Sequence, residues 1–156
     1  MPTELTPGAK APDFTLPRDG GASVSLRDFK GKNLVIFFYP KADTSGCTKE
    51  AIAFSTLRPA FAKARTEILG VSADPVEAQD AFKAKHGLTV ALGSDEKRKM
   101  IESYGAWGKK SMYGRSYMGI LRTTFLIGPD GRIAQVWRSV KVPGHAEAVL
   151  AAAQQL

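Results

Sequence analysis

Between Asn33 and Pro40 the chain reads Asn-Leu-Val-Ile-Phe-Phe-Tyr-Pro. From Leu34 to Phe38 there is no polar residue, and after Leu34 the run is β-branched or aromatic. An amphipathic strand alternates polar and apolar positions, so a strand that offers water neither face must be covered on both. The fold therefore needs layers on each side of a sheet, and Pro40, unable to donate to a central ladder, ends this strand. A chain of 156 residues with 44% hydrophobic content has enough apolar mass for one such domain, residues 1–156, and little for a second. No repeat, low-complexity tract or linker-like stretch interrupts it.

The rest of the chain supplies those layers. Residues 13–16 and 22–26, joined by Pro17-Arg18-Asp19-Gly20-Gly21, predict an N-terminal β-hairpin. Residues 48–64 predict a helix, with Pro59 expected to end or bend it near Arg58. Residues 67–72 predict a second buried strand. Residues 75–86 predict a helix with Asp74 as N-cap and Pro75 in its first position. A short strand near Ala91 and Leu92 and a helix near 95–103 follow. Residues 104–118, rich in glycine and lysine, read as a long loop. Residues 121–127 and 132–138 flank Gly128-Pro129-Asp130-Gly131 as a hairpin, and a last helix begins after Pro143-Gly144. Alternating strands and helices with a closing hairpin predict an α/β sandwich with a central mixed β-sheet flanked by helices.

Charge and cysteine content narrow the function. The net charge is +7, with 22 Lys+Arg against 15 Asp+Glu. Nearly all of the excess falls in residues 97–122, where Lys97, Arg98, Lys99, Lys109, Lys110, Arg115 and Arg122 face only Glu102. Such a window suits a solvated face, an anionic ligand or nucleic acid; Tyr104, Trp107, Tyr113 and Tyr117 interleave with it. No apolar run approaches the ~20 residues of a membrane span, and the polar opening lacks the apolar core of a signal peptide. One cysteine excludes a disulfide framework and a multi-cysteine zinc site. His86 and His145 make no convincing metal set with it and read as surface or capping residues. A cytoplasmic, reducing location is expected.

That cysteine sits in Tyr39-Pro40-Lys41-Ala42-Asp43-Thr44-Ser45-Gly46-Cys47-Thr48-Lys49-Glu50, the passage from buried strand to helix. Cys47 falls in the helix's first turn, where free N–H groups and the positive end of the dipole favour a thiolate. Thr44 and Ser45 are candidate caps, and Thr44 is close enough to turn its hydroxyl toward the sulfur. Position alone leaves two readings open: a reactive thiolate or an inert buried hydrophobe. Glu50, one turn on, is equally open between a solvated residue and a partner for a basic side chain.

Pro40-x-x-x-Thr44-x-x-Cys47 resembles the active-site signature of peroxiredoxins, thiol peroxidases on a thioredoxin-like fold. Phe37-Phe38-Tyr39-Pro40, Gly46-Cys47-Thr48-Lys49-Glu50, Gly70-Val71-Ser72-Ala73-Asp74 and Arg122-Thr123-Thr124-Phe125-Leu126-Ile127 extend the likeness to the bacterioferritin comigratory protein / peroxiredoxin Q branch, over about residues 7–150. The resemblance implies that Cys47 attacks peroxide and becomes a sulfenic acid. It implies that Thr44 bonds thiolate and peroxide, that Pro40 shields the sulfur, and that Arg122 returns from a later strand to face it. Backbone N–H groups near Gly46 and Cys47 would help bind the peroxide. It implies no metal or organic cofactor.

Two departures stand out. Many members of the branch carry a resolving cysteine five residues after the first; that position is Ile52, so the sequence resembles a one-cysteine variant resolved by an external thiol such as thioredoxin, glutaredoxin or glutathione. Ser45 stands where proline is frequent. A monomer or weak homodimer is expected, with peroxide substrates and without membrane or nucleic-acid partners. The competing reading is a non-enzymatic thioredoxin-fold binding module that uses the basic 97–122 window.

Overall fold

A computed structural model describes residues 5–156 apart from the Met112 side chain; the opening as far as Glu4 lies outside the described residues. Strands β1 (Thr15–Pro17) and β2 (Ser23–Ser25) form the N-terminal hairpin. The buried run is β3 (Asn33–Phe38), and all six of its residues are buried. There follow α1 (Ser45–Lys63), β4 (Thr66–Ser72), α2 (Val76–His86), β5 (Ala91–Ser94), α3 (Lys99–Ser103), β6 (Trp107–Met112), β7 (Arg115–Ile120), β8 (Thr123–Ile127), β9 (Ile133–Trp137) and α4 (His145–Gln154).

The central sheet has the order β5-β4-β3-β8-β9. β3, β4 and β5 run parallel, whereas β8 is antiparallel to β3 and β9 to β8. Alternation along β3 splits the core in two. Leu34, Ile36 and Phe38 join Met100 and Ile101 of α3 on one face, and Val35, Phe37 and Tyr39 join residues of α1, α2 and α4 on the other. The Phe37 ring stacks on Phe54 of α1 at 4.7 Å. This works because the next strand carries Gly70 beneath it: a Cβ there would stand 2.6 Å from the Phe37 ring. The N-terminal hairpin covers the β5 edge, with Arg18 bridging Gly93 and the Asp19 carboxylate accepting the Leu92 N–H at 2.9 Å, which blunts an otherwise open strand. Among the described residues no helix is long and apolar enough to cross a membrane.

The structure corrects four local expectations. Pro59 lies inside α1 without ending it. The Ser55 carbonyl that a residue-59 N–H would have bonded instead accepts the Thr89 hydroxyl at 3.3 Å, and the Ser55 hydroxyl accepts the Thr89 N–H at 3.0 Å, so the usual cost of an interior proline is offset. Asp74 is not the cap of α2; Pro75 holds that position, and the Asp74 carboxylate turns back to the loop before α1. Helix α3 starts only at Lys99, because Arg98 adopts a left-handed conformation with φ 63°. Residues 104–118 are largely the β6–β7 hairpin rather than a loop. Its two-residue turn, Tyr113-Gly114, has φ 52° and 78°, the positive pair a tight hairpin needs, without the Asn-Gly signature that announces one.

Candidate active site

The loop from β3 to α1 is tied down from beneath and from the side. Tyr39 donates to Gln79 Oε1 at 2.5 Å, and Gln79 Nε2 donates to Ser72 Oγ and the Gly93 carbonyl at 2.9 and 3.0 Å. Ser72 in turn donates to Asp74 Oδ2 at 2.6 Å, which also accepts the Ala42 N–H at 2.8 Å. This chain of bonds leaves few buried polar groups unsatisfied and fixes where the loop leaves the sheet. At its far end Asp43, at φ 64°, meets Lys85 and His86 at the C-terminus of α2, at 2.8 and 2.7 Å. These partners hold its carboxyl below the usual range, His86 foremost.

Thr44 is the N-cap residue of α1, so Cys47 is the third residue of the helix. The first bond of the helix runs from the Thr48 N–H to the Thr44 carbonyl at 2.8 Å. The N–H groups of Ser45, Gly46 and Cys47 precede it and are the free donors of the first turn. Cys47 is 1% exposed. Arg122, just before β8, reaches it across the sheet: Nη2 lies 3.3 Å from Cys47 Sγ, and Nη1 donates to Glu50 Oε1 at 2.7 Å. Cys47 and Glu50 are three apart on α1 and share a face, so one planar guanidinium serves both. Burial opposes the Arg122 charge, but Glu50 and Cys47 outweigh it and hold the group protonated.

Gly46 makes room for this approach, since a Cβ there would stand 3.2 Å from Arg122 Nη2. Pro40 is half-buried at the mouth of the loop. The Thr44 hydroxyl does not bond the sulfur; it donates to the Lys41 carbonyl at 2.8 Å, which leaves its oxygen lone pairs for an incoming donor. The arrangement suits breaking a bond in which negative charge builds on a departing oxygen, with fixed donors around a nucleophilic sulfur. Among the described residues no group of His, Cys, Asp and Glu is arranged to hold a metal.

The AhpC/TSA family model matches residues 7–136. The chain belongs to the AhpC/TSA family. Within it the chain is 47% identical to the peroxiredoxin Bcp of Xanthomonas campestris over 140 residues, covering 90% of this chain and 88% of that one. It is 46% identical to the peroxiredoxin Bcp of Bacillus subtilis over 138 residues, 88% of each chain. The fold matches the Xanthomonas campestris peroxiredoxin Q structure with a TM-score of 0.88 and 44% identity over 98% of this chain and 96% of that one. A structure of the bacterioferritin comigratory protein from the same organism, studied for alkyl peroxide reduction, matches with a TM-score of 0.88 and 42% identity over 99% and 98%. This member has one cysteine, and Ile52 is exposed on α1.

Some site residues were not legible beforehand. Glu50 is 1% exposed, and its Oε2 has no hydrogen-bond partner among the described residues; burial pushes its carboxyl up to about 7 against the pull of Arg122. His145 is a buried residue, not a surface or capping one. It shares a 2.8 Å hydrogen bond with Thr124 Oγ1, and burial, aided by the Arg122 charge, pushes it down to about 4. His86 does lie at a helix end, against Asp43. Lys110 of the unforeseen β6–β7 hairpin comes within electrostatic reach of Arg122 and Cys47; burial and Arg122 lower it, and Cys47 opposes them.

Proposed function

We propose that this chain is a thiol-dependent peroxidase of the one-cysteine kind, acting on hydrogen peroxide and organic hydroperoxides. The observation that carries this reading is the 3.3 Å contact of Arg122 Nη2 with Cys47 Sγ in the first turn of α1. The alkyl peroxide reduction studied in the Xanthomonas campestris relative supports the inclusion of organic hydroperoxides.

The Cys47 thiolate attacks one peroxide oxygen, the O–O bond breaks, and the departing oxygen leaves as water or an alcohol after taking up a proton. Cys47 is left as a sulfenic acid. Arg122 and the free N–H groups near Gly46 face the charge that develops on the departing oxygen. The Thr44 hydroxyl, already donating to Lys41, accepts the peroxide's hydrogen, and Pro40 keeps water from the sulfur. With no second cysteine, an external thiol such as thioredoxin, glutaredoxin or glutathione attacks the sulfenic acid, and a second thiol releases the enzyme by exchange. We place this cycle in one domain, residues 1–156, working as a monomer or weak homodimer in a reducing cytoplasm.

The test is mass spectrometry of Cys47. One peroxide equivalent should add one oxygen, trappable by a sulfenic-specific reagent, and added thiol should convert it to a mixed disulfide. Excess peroxide without thiol should carry it to sulfinic acid. An unmodified Cys47 after peroxide overturns the reading in favour of a binding module, and turnover retained in Cys47→Ser overturns the assignment of Cys47 as the nucleophile.

A further inference from the structure

The β6–β7 hairpin has two unlike faces. Its register pairs Lys110 with Tyr117 and Gly108 with Gly119, while Lys109 pairs with Met118; alternation therefore sets Lys110 and the two glycines on one face and Lys109 on the other. A Cβ at Gly119 would stand 2.9 Å from Lys110 Cδ, so the lysine stem lies across a bare stretch of backbone. Its Nζ donates to the Ile120 carbonyl at 3.0 Å, two residues before Arg122. That bond uses one of three N–H groups. The half-buried ammonium forms no ion pair among the described residues. Arg122 is engaged with Glu50 and Cys47. Lys110 is thus a cation without a carboxylate partner among the described residues, tied to the end of β7 two residues before Arg122, and partial burial weakens the screening of its field by salt without abolishing it.

We propose that Lys110 recognises the carboxylate of a small anionic thiol during resolution of oxidised Cys47. The inference rests on the one-cysteine peroxidase reading, because only there must an outside thiol enter. The thiol sulfur attacks Cys47 Sγ and the S–O bond breaks. The hydroxide takes the proton that the thiol gives up and leaves as water, and a disulfide joins Cys47 to the small thiol. The attacking sulfur is anionic for every thiol, so its attraction to Lys110 is common to all. A carboxylate on the thiol adds a second attraction, which Lys110 supplies.

The experiment preforms the sulfenic acid with one peroxide equivalent and then measures mixed-disulfide formation by mass spectrometry. Mercaptoacetate, glutathione, neutral 2-mercaptoethanol and cationic cysteamine are compared in the wild type, Lys110→Gln, Lys110→Arg and Lys109→Gln. The readout is the rate with mercaptoacetate relative to 2-mercaptoethanol, which cancels intrinsic thiol reactivity between variants. Lys110→Gln should lower that ratio about fivefold, the scale of one lost charge pair at a partly exposed site. Lys110→Arg should restore most of it, and Lys109→Gln should leave it unchanged. Glutathione should follow mercaptoacetate, and in the wild type added salt should slow mercaptoacetate more than 2-mercaptoethanol. A ratio unchanged in Lys110→Gln, or an equal loss with neutral and cationic thiols, overturns the selectivity alone. Absence of a trappable sulfenic acid in the wild type overturns the peroxidase reading and the inference with it.

Discussion

Arg122 and Cys47 are 75 residues apart in the chain, yet Nη2 and Sγ stand 3.3 Å apart, with the same guanidinium bonded to Glu50 at 2.7 Å. The contact exists because β8 lies antiparallel beside β3, with Thr123 opposite Phe38. That pairing sets the residue just before β8 beside the end of β3, from which the α1 loop departs. Arg122→Ala removes an aimed donor and should slow oxidation of Cys47 by two to three decades, about the effect of deleting a donor to a developing anion. Arg122→Lys, a point charge unable to serve both partners in one plane, should recover part of that loss. Stopped-flow rates equal to the wild type would remove Arg122 from the chemistry.

Glu50 and His145 should give stability opposite slopes with pH. The Glu50 carboxyl lies near 4.5 ordinarily and near 7 in the fold. Its contribution is full below 4.5 and lost as pH rises through 7, because the unfolded chain releases the proton first. His145 lies near 6.5 ordinarily and near 4 in the fold. Its contribution is full above 6.5 and lost as pH falls through 4. The two windows overlap between 4.5 and 6.5, where the slopes oppose each other, so urea titrations should show stability rising with pH from about 4 to 6.5 in Glu50→Gln and falling from about 4.5 to 7 in His145→Gln; slopes identical to the wild type would contradict both assignments.

Gly46→Ala should separate stability from activity. Alanine is favoured over glycine within a helix by roughly 0.5–1 kcal/mol. Its methyl, however, would stand 3.2 Å from Arg122 Nη2 and push the guanidinium outward by a few tenths of an ångström. Oxidation by peroxide should slow about three- to tenfold, since small misplacements of a catalytic group weigh heavily on rate, while the unfolding midpoint holds or rises. Unchanged kinetics would show that the approach has slack.

Gly70→Ala should do the reverse. The added methyl would meet the Phe37 ring at 2.6 Å, and that ring is packed on Phe54 with no free side. Overpacking a rigid aromatic costs about 1–3 kcal/mol, read as a lower denaturant midpoint. The variant that folds should retain the wild-type response of Cys47 to peroxide, because the ring stacks on Phe54, seven residues or about two turns of α1 beyond Cys47.

Local pattern along the chain was enough to read the layers and to single out Cys47 as the candidate nucleophile. A strand without a polar face, the alternation of buried strands with helices, and Gly128-Pro129-Asp130-Gly131 each act through neighbours in the chain, so local pattern suffices to read them. The same holds for Cys47, whose place in the first turn of α1 follows from the loop before it. Tertiary structure decided what depends on contacts between distant segments. Pro59 stays inside a helix because Thr89 reaches Ser55, and the Tyr113-Gly114 turn closes because two lysine- and glycine-rich segments pair as β6 and β7. Glu50 becomes a buried partner because Arg122 arrives from beside β8, and His145 is neutralised by the packing of α4 over Thr124. Residue type alone leaves those four open, since a proline, a glycine-rich stretch, a glutamate and a histidine each have an ordinary surface use. Burial and the partner found there choose between the two.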